Sequence, residues 1–534
     1  PQNDLSTTSY CLANSGQEYL VYQPKTGEFS VNLTAGTYAF EWFNPATGAV
    51  ASTGSVKAAG GKQTFTPPFA GPAVLYLKVA SVVPRQYRDI SDEEVSSGSS
   101  ELPSSVPLFN GIDLSGWVPV NVAPNTFTVR DGMIISTGIP TGVIRTDRMY
   151  ENFIVELEWR HMKPGGNAGL FLWGDGVPSV GIPFTRGIEV QILDNAYNAK
   201  GKNEWFTTHG DIFPIHGAKM KPIGRVASSG DRSFPQEELS KSSPEWNHYR
   251  VVANQGELRL SVNGTEVTVG KDCWPRKGYI FLESEGSECH FRNLRIQELP
   301  STNVSTTEMA QSGEGRVPLF TGIDLANWKV PEGDNGHWKV VDEVLDYDAE
   351  SEAPGDKSLW SQREYRNFQL IVDWRIKETP YTNPNVAQIL PDGSEAVDVN
   401  GKPIQLSIPD SDSGIFLRGS DQHQVNIWCW PIGSGEMYSV RRNMNLPSEV
   451  RSAVTPRVNA DKPVGQWNRF EITVRNETVR VLLNNEVVIA EATLPDLPPL
   501  GPIGLQHHGY KRDGKWTCPP SLVQFRNIII KEIP

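Results

Sequence analysis

Apolar and polar positions alternate over much of this chain. Phe153, Val155, Leu157 and Trp159 interleave with Ile154, Glu156, Glu158 and Arg160, a period of two that predicts a half-buried strand. Farther on, Phe368, Leu370, Val372 and Trp374 repeat the pattern. In LRLSVNGTEVTV (258–269), Asn263-Gly264 separates two alternating runs, and in VRVLLNNEVVI (479–489) Asn484-Asn485 does the same. Both pairs accept positive φ, so each predicts a tight hairpin. Near the start, EYLVYQP, TYAFEWF and AVLYLKV read as strands, with NPATG (44–48) as a turn. No long stretch carries apolar residues at helical spacing. The pattern predicts an all-β protein: large two-sheet sandwiches, jelly roll being the leading topology, and a small N-terminal β-sandwich.

The large pattern occurs twice. VPLFNGIDLSGW begins at Val106 and VPLFTGIDLANW at Val317; FRNLRIQELP (291–300) and FRNIIIKEIP (525–534) close the two copies. Two homologous, superimposable domains are expected over 106–300 and 317–534, after a smaller one over 1–90. The stretches 91–105 and 301–316 are rich in Ser, Thr and Gly and read as exposed linkers. The chain begins PQNDL without Met, so a leader or an upstream domain is expected to precede it.

A net charge of −13 without any basic block argues against nucleic acid or an anionic membrane surface as partner. No apolar run approaches the roughly 18 residues of a membrane span. Five cysteines, at 11, 273, 289, 429 and 518, form no CxxC or Cys/His finger. Either Cys273 pairs with Cys289 and Cys429 with Cys518, or all five are free thiols. HxH, HExxH and Asp-rich calcium loops are missing from the sequence. No cofactor is indicated, and a divalent metal held by carboxylates gathered in folding stays open. So does self-association. Sandwiches in series with Ser/Thr-rich linkers suit a secreted, periplasmic or cell-surface protein.

VPLFNGIDLSGW, GNAGLFLW (166–173), GIEVQILDN (187–195), EWNHYRVV, VNGTEV and FLESEG followed by FRNLRI stand in the order found in the 3-keto-disaccharide hydrolase family, which each repeat resembles from end to end. The resemblance implies a concanavalin-like jelly roll with 3-keto-glucoside 1,2-lyase and 3-keto-2-hydroxyglucal hydratase activity. YCLANSGQEYLVYQP, AGTYAFEWFNPATG and FTPPFAGPAVLYL resemble the small β-domain, named for collagen binding, of bacterial glycosidase-like proteins. Collagen as a ligand does not follow.

A 3-keto sugar is acidic at carbon 2, because the carbanion is an enolate conjugated to the ketone. Elimination of the glycosidic oxygen therefore needs a base, an acid for the leaving oxygen and hydrogen-bond donors near the enolate. Strand parity nominates residues. In GIEVQILDN the apolar set Ile188, Val190 and Ile192 leaves Glu189 and Gln191 on the other face; in GYIFLESEG, Ile280 and Leu282 leave Glu283 and Glu285. Phe171 and Trp173 are expected to face outward and stack on sugar. TTHGDIFPIHG (207–217) contributes His209, Asp211 and His216. Glu189, His209 and Glu285 are the expected catalytic set. Trp173, Gln191, Asp194, Asp211 and Glu283 are expected to bind substrate, with Asp194 alternatively capping its turn.

In the second copy Gln424 stands at Glu189, Asn426 at Gln191, Cys429 at Asp194, Gln506 at Glu283 and His508 at Glu285. An amide cannot act as base. The second copy carries an insertion, roughly 378–411, and keeps Arg418, Trp428, Trp430, Glu436 and Arg441, of which Arg418 and Trp428 are expected to bind substrate. The expected arrangement is a catalytic first repeat and a second repeat that binds sugar or supports the first. The competing reading is a noncatalytic extracellular carbohydrate-binding or surface-assembly protein.

Overall fold

The alternating segments become antiparallel strands, and their apolar faces meet in pairs of sheets. This computed structural model describes residues 2–79, 104–198 and 204–534, which divide into one unit within 1–100 and another within 101–534. The expected 91–105 linker falls almost wholly outside the described residues. In the small unit, Glu18–Gln23, Gly36–Asn44 and Ala73–Val79 belong to a five-stranded sheet, while Phe29–Leu33 pairs with Gly61–Phe65. Tyr19, Val21, Tyr38, Trp42 and Leu75 form its core.

In the first repeat a nine-stranded and an eight-stranded sheet enclose the core. Val155, Leu157 and Trp159 on Phe153–His161 meet Leu170, Ile188, Val190 and Leu282 from the other sheet. The second repeat has sheets of eight and five strands around the equivalent residues Leu370, Val372, Trp374, Ile415, Val425 and Leu505. Each such side chain withdrawn from water is worth about 1.5–3 kcal/mol. Both hairpins form as expected: Asn263, Gly264, Asn484 and Asn485 all have positive φ.

All five cysteines are free. Cys273 and Cys289 belong to the same sheet but are separated by three intervening strands. At the usual strand spacing that is about 19 Å, far beyond the reach of a disulfide.

The two repeats, expected as separate domains on an exposed linker, pack as one unit. The stretch 301–316 is pinned at several points. Arg276 Nε is 2.7 Å from Glu308 Oε1, the Trp274 indole donates to Thr307 O, and Arg145 Nη2 donates to Gly313 O. A deeper junction lies where the 175–186 loop of the first repeat meets the outer face of the second repeat's large sheet. Asp373 and Arg469 form a buried bidentate pair, at 2.6 and 2.9 Å. Asp373 also accepts from Gly181 N–H and from Asn527, and Arg469 donates to Pro178 O. Val177 packs between Ile371 and Ile529. The first repeat has Glu156 where the second has Ile371, and Glu156 is partly exposed against Arg250. Removing one partner of a buried, hydrogen-bonded pair typically costs about 3–5 kcal/mol. Arg469→Ala should therefore lower the unfolding free energy of the full chain, read from urea titration, by that amount, whereas Glu156→Ala should change it by less than about 1 kcal/mol.

Candidate functional site

On the outer face of the first repeat's eight-stranded sheet, three carboxylates gather around a glycine. Glu189 lies on Gly187–Leu193, opposite Phe171 of Asn167–Gly174, and Glu283 on Tyr279–Ser284, with Glu285 two residues on. A Cβ at Gly169 would lie 2.9 Å from Glu283 Oε2 and 3.0 Å from Glu189 Oε1, so the two carboxyls are within about 6 Å of each other. Asn167 Nδ2 donates to Glu285, and Gln191 Nε2 donates to Asn167 Oδ1 at 3.1 Å. Burial and the neighbouring Glu285 push Glu189 up to about 8. Burial, then Glu189 and Glu285, raise Glu283, which is close enough to Glu285 to share a proton with it. Burial and the neighbouring acids thus favour the protonated, hydrogen-donating form of Glu189. Beside this cluster the face is filled by an apolar group, Val143, Phe171, Tyr279 and Phe281, with Phe184 from the 175–186 loop against it.

The corresponding face of the second repeat is an open cleft of about 700 Å³. Three local changes explain the difference. Phe281 is replaced by Gly504, and Trp360 lies in the space that a side chain there would occupy, stacked on Phe416 at 5.3 Å. The long loop between the two strands beside Gly169 shrinks to the turn Arg418-Gly419, so nothing equivalent to Phe184 reaches the face. Leu193 is replaced by Trp428, which stacks on Trp430 at 4.2 Å. Phe416 pairs with Gln424 and Asp412 with Trp428, which separates the two aromatic platforms by about 13 Å along the strand. Between them Gln424 donates to Gln506.

The cleft also holds a pair that comparison of the acids alone misses. Asn167 and Glu285 of the first repeat become Asp412 and His508, an amide–carboxylate pair turned into a carboxylate–imidazole pair. Asp412 Oδ2 is 3.9 Å from His508 Nδ1, and Asp412 Oδ1 is buried without a partner. Burial raises Asp412 to about 6. His508 Nδ1 lies 2.6 Å from Pro519 O, which only accepts, so Nδ1 carries the hydrogen and Nε2 offers the lone pair. The alignment DSGIFLRG against NAGLFLWG contained this exchange.

A family model described as a 3-keto-alpha-glucoside-1,2-lyase-like domain matches residues 104–297 and again 315–531. The chain belongs to this family. A second model, "Putative collagen-binding domain of a collagenase", matches residues 2–74. Among solved structures, one described as "a putative glycosyl hydrolase from Parabacteroides distasonis" is 21% identical, covering 37% of this chain and 94% of that one, with a TM-score of 0.28. The carbohydrate-binding module CBM66 of Bacillus subtilis is 12% identical over 34% and 96% of the two chains, with a TM-score of 0.25. The β-glucanase of Bacillus licheniformis is 11% identical over 38% and 100%, with a TM-score of 0.24. No curated protein matches the chain.

Several expected site residues are placed elsewhere. Trp173 faces the core, not the sugar: the strand bulges after Phe171, Trp173 takes a positive φ, and its indole donates to Glu151 O. Arg418 occupies the equivalent left-handed position and is buried, donating to Asn476 O and Pro498 O outside the cleft. His209 is buried away from the acids, between Ser240 and Asn195, and burial pushes it down to about 4. Asp211 pairs with Arg232 at 3.2 Å. Asp194 is a turn cap, accepting from Gly165, Ala196 and Ser243 N–H groups. His216 stacks on Phe184. Glu436 and Arg441 form a fully buried pair, 2.5 Å apart. Glu189, Gln191, Glu283 and Glu285 do come together, and Trp428 lines the second cleft. Donors suited to a divalent ion are present among the first repeat's acids, but no group of metal-binding geometry occurs among the described residues.

Because Glu189 binds its proton more tightly when folded, it stabilises the protein fully below its ordinary value of 4.5, and that contribution is lost as pH rises through about 8. The melting temperature should accordingly fall between those pH values. Glu189→Gln should flatten the decline, and an unchanged slope in the variant would exclude Glu189 as its source.

Proposed function

We propose that the chain cleaves 3-keto glycosides by elimination and hydration, with the sugar seated in the second repeat's cleft. The observation carrying this reading is the partly buried Asp412–His508 pair in a cleft lined by two aromatic platforms. His508 Nε2 removes the hydrogen from carbon 2, and that C–H electron pair becomes the C1=C2 double bond conjugated to the ketone. The C1–O bond breaks and the leaving oxygen takes a proton from the imidazolium, regenerating the base. Water then adds, hydroxyl to carbon 1 and hydrogen to carbon 2, for a net hydrolysis. Ionised Asp412 stabilises the transient imidazolium. Gln506, whose carbonyl accepts from Gln424, directs its amide N–H groups to the enolate oxygen. The aromatic platforms hold the ring faces.

A second reading keeps the chemistry in the first repeat and leaves the second to hold the glycan. It is favoured by the raised proton affinity of Glu189 and Glu283, which suits a general acid. A secreted, periplasmic or cell-surface location belongs to the proposal in either form.

Release of aglycone from a 3-keto glucoside by the full chain decides between them. On the first reading His508→Ala and Asp412→Asn each lower kcat by about 10²–10⁴-fold, and Glu189→Gln does not. The reverse pattern moves catalysis to the first repeat. Binding of the glycoside without turnover by the intact protein would leave a carbohydrate-binding protein. Wild-type activity should also fall as pH drops through about 6, where Asp412 takes up its proton and ceases to stabilise the imidazolium.

A further inference from the structure

The described residues lining the second repeat's cleft include Asp356, Asp412 and Asp421 but no Lys or Arg. His507 also lines it, and burial, then Lys357, push that imidazole down to about 4, which favours its uncharged form. Lys357 itself donates to Ser351 O at 2.7 Å, and Arg442 is engaged with the Tyr438 hydroxyl at the other platform. Two of the three acids belong to the Trp360–Phe416 platform. Asp356 Oδ2 accepts the Trp360 indole N–H at 2.6 Å, and Asp421 stands on the strand Ser420–Trp428, whose Gln424 pairs with Phe416. Both acids are exposed, while Trp360 is partly buried and stacked on Phe416. An indole whose N–H donates to a carboxylate is polarised toward a more electron-rich ring, which strengthens its attraction for a cation over its face.

We infer that the Trp360–Phe416 platform is a subsite for a sugar ring bearing an ammonium group, and that it selects against uronates and against sulfated or phosphorylated sugars. The inference rests on the seating of a glycan in the second repeat's cleft. A protonated amino sugar brings its charge to an aromatic surface rimmed by two carboxylates, so stacking, cation–π attraction and charge pairing act together. A neutral ring gains only the stacking. An anionic ring meets like charge on Asp356 and Asp421, with Asp412 farther along the cleft and no Lys or Arg in the lining to offset it. Asp412 pairs across the ladder with Trp428, about 13 Å along the strand from Phe416, which is farther than one pyranose ring reaches. The amino sugar is therefore a neighbour of the ring that meets Asp412 and His508, and not that ring itself.

Methyl glucoside, methyl glucosaminide and methyl glucuronide share one ring and differ in charge. Each is titrated against the full chain by calorimetry slightly below neutral pH, at low and at high salt. At low salt the glucosaminide should bind about ten-fold more tightly than the glucoside and the glucuronide most weakly, with the spread narrowing at high salt. Asp421 is exposed at the rim, so its replacement leaves the core untouched. Asp421→Asn should reduce the glucosaminide's advantage by about two- to five-fold, and Asp421→Lys should reduce it further, while glucoside binding stays within about two-fold of wild type. Equal affinities for glucoside and glucosaminide, or an advantage unmoved by Asp421→Lys, overturns the inference alone. If none of the three sugars binds saturably, the cleft is not a sugar site and the inference falls with it. The expected order of binding in a protein that turns over no 3-keto glucoside supports the subsite and counts only against the enzymatic reading.

Discussion

The buried pair of Asp373 and Arg469 holds the two repeats together, and much of the difference between them follows from it. Two charges removed from water on one sheet face persist only because each finds several partners, and two of these, Gly181 N–H and Pro178 O, come from the other repeat's backbone. That commitment fixes the first repeat's 175–186 loop against its neighbour. From the same loop Phe184 covers Phe171 and Phe281, closing part of the first repeat's outer face. The second repeat, which receives the loop, has only a two-residue turn at the equivalent point. Its own face stays open.

Duplication has therefore yielded two treatments of one sheet. In the first repeat, acids crowd around Gly169 with Arg232 as a cationic neighbour, and burial favours retaining protons. In the second, the same positions carry amides, which hydrogen-bond to each other without charge, and the titratable function moves to Asp412 and His508 at the end of the strand. An amide and a carboxylate exchange places with a carboxylate and an imidazole. The second face keeps a carboxylate beside an imidazole while losing the first face's excess negative charge. Glycine serves both versions: at Gly169 it makes room for two carboxyl groups, and at Gly504 for an indole.

Much of this was legible in the chain itself. The period-two segments, the Asn-Gly and Asn-Asn turns and the repeated phrases determined an all-β protein with two related sandwiches and a smaller one before them, because alternation and positive-φ turns are local properties. Parity within an unbroken strand correctly placed Glu189, Gln191, Glu283 and Glu285 on one face. Only the tertiary structure decided the rest. A bulge after Phe171 turned Trp173 inward, and a register shift after Phe416 did the same for Arg418, since one displaced residue reverses every parity assignment beyond it. His209 found Ser240 and Asn195 because distant loops met there. The union of the repeats depended on Ile371, Asp373 and Ile529 facing outward, a surface whose partner is remote in sequence. Proton affinities depended on burial and on neighbours from other strands, and an open or filled face depended on which loop crossed it; these are properties of packing, which no single segment contains.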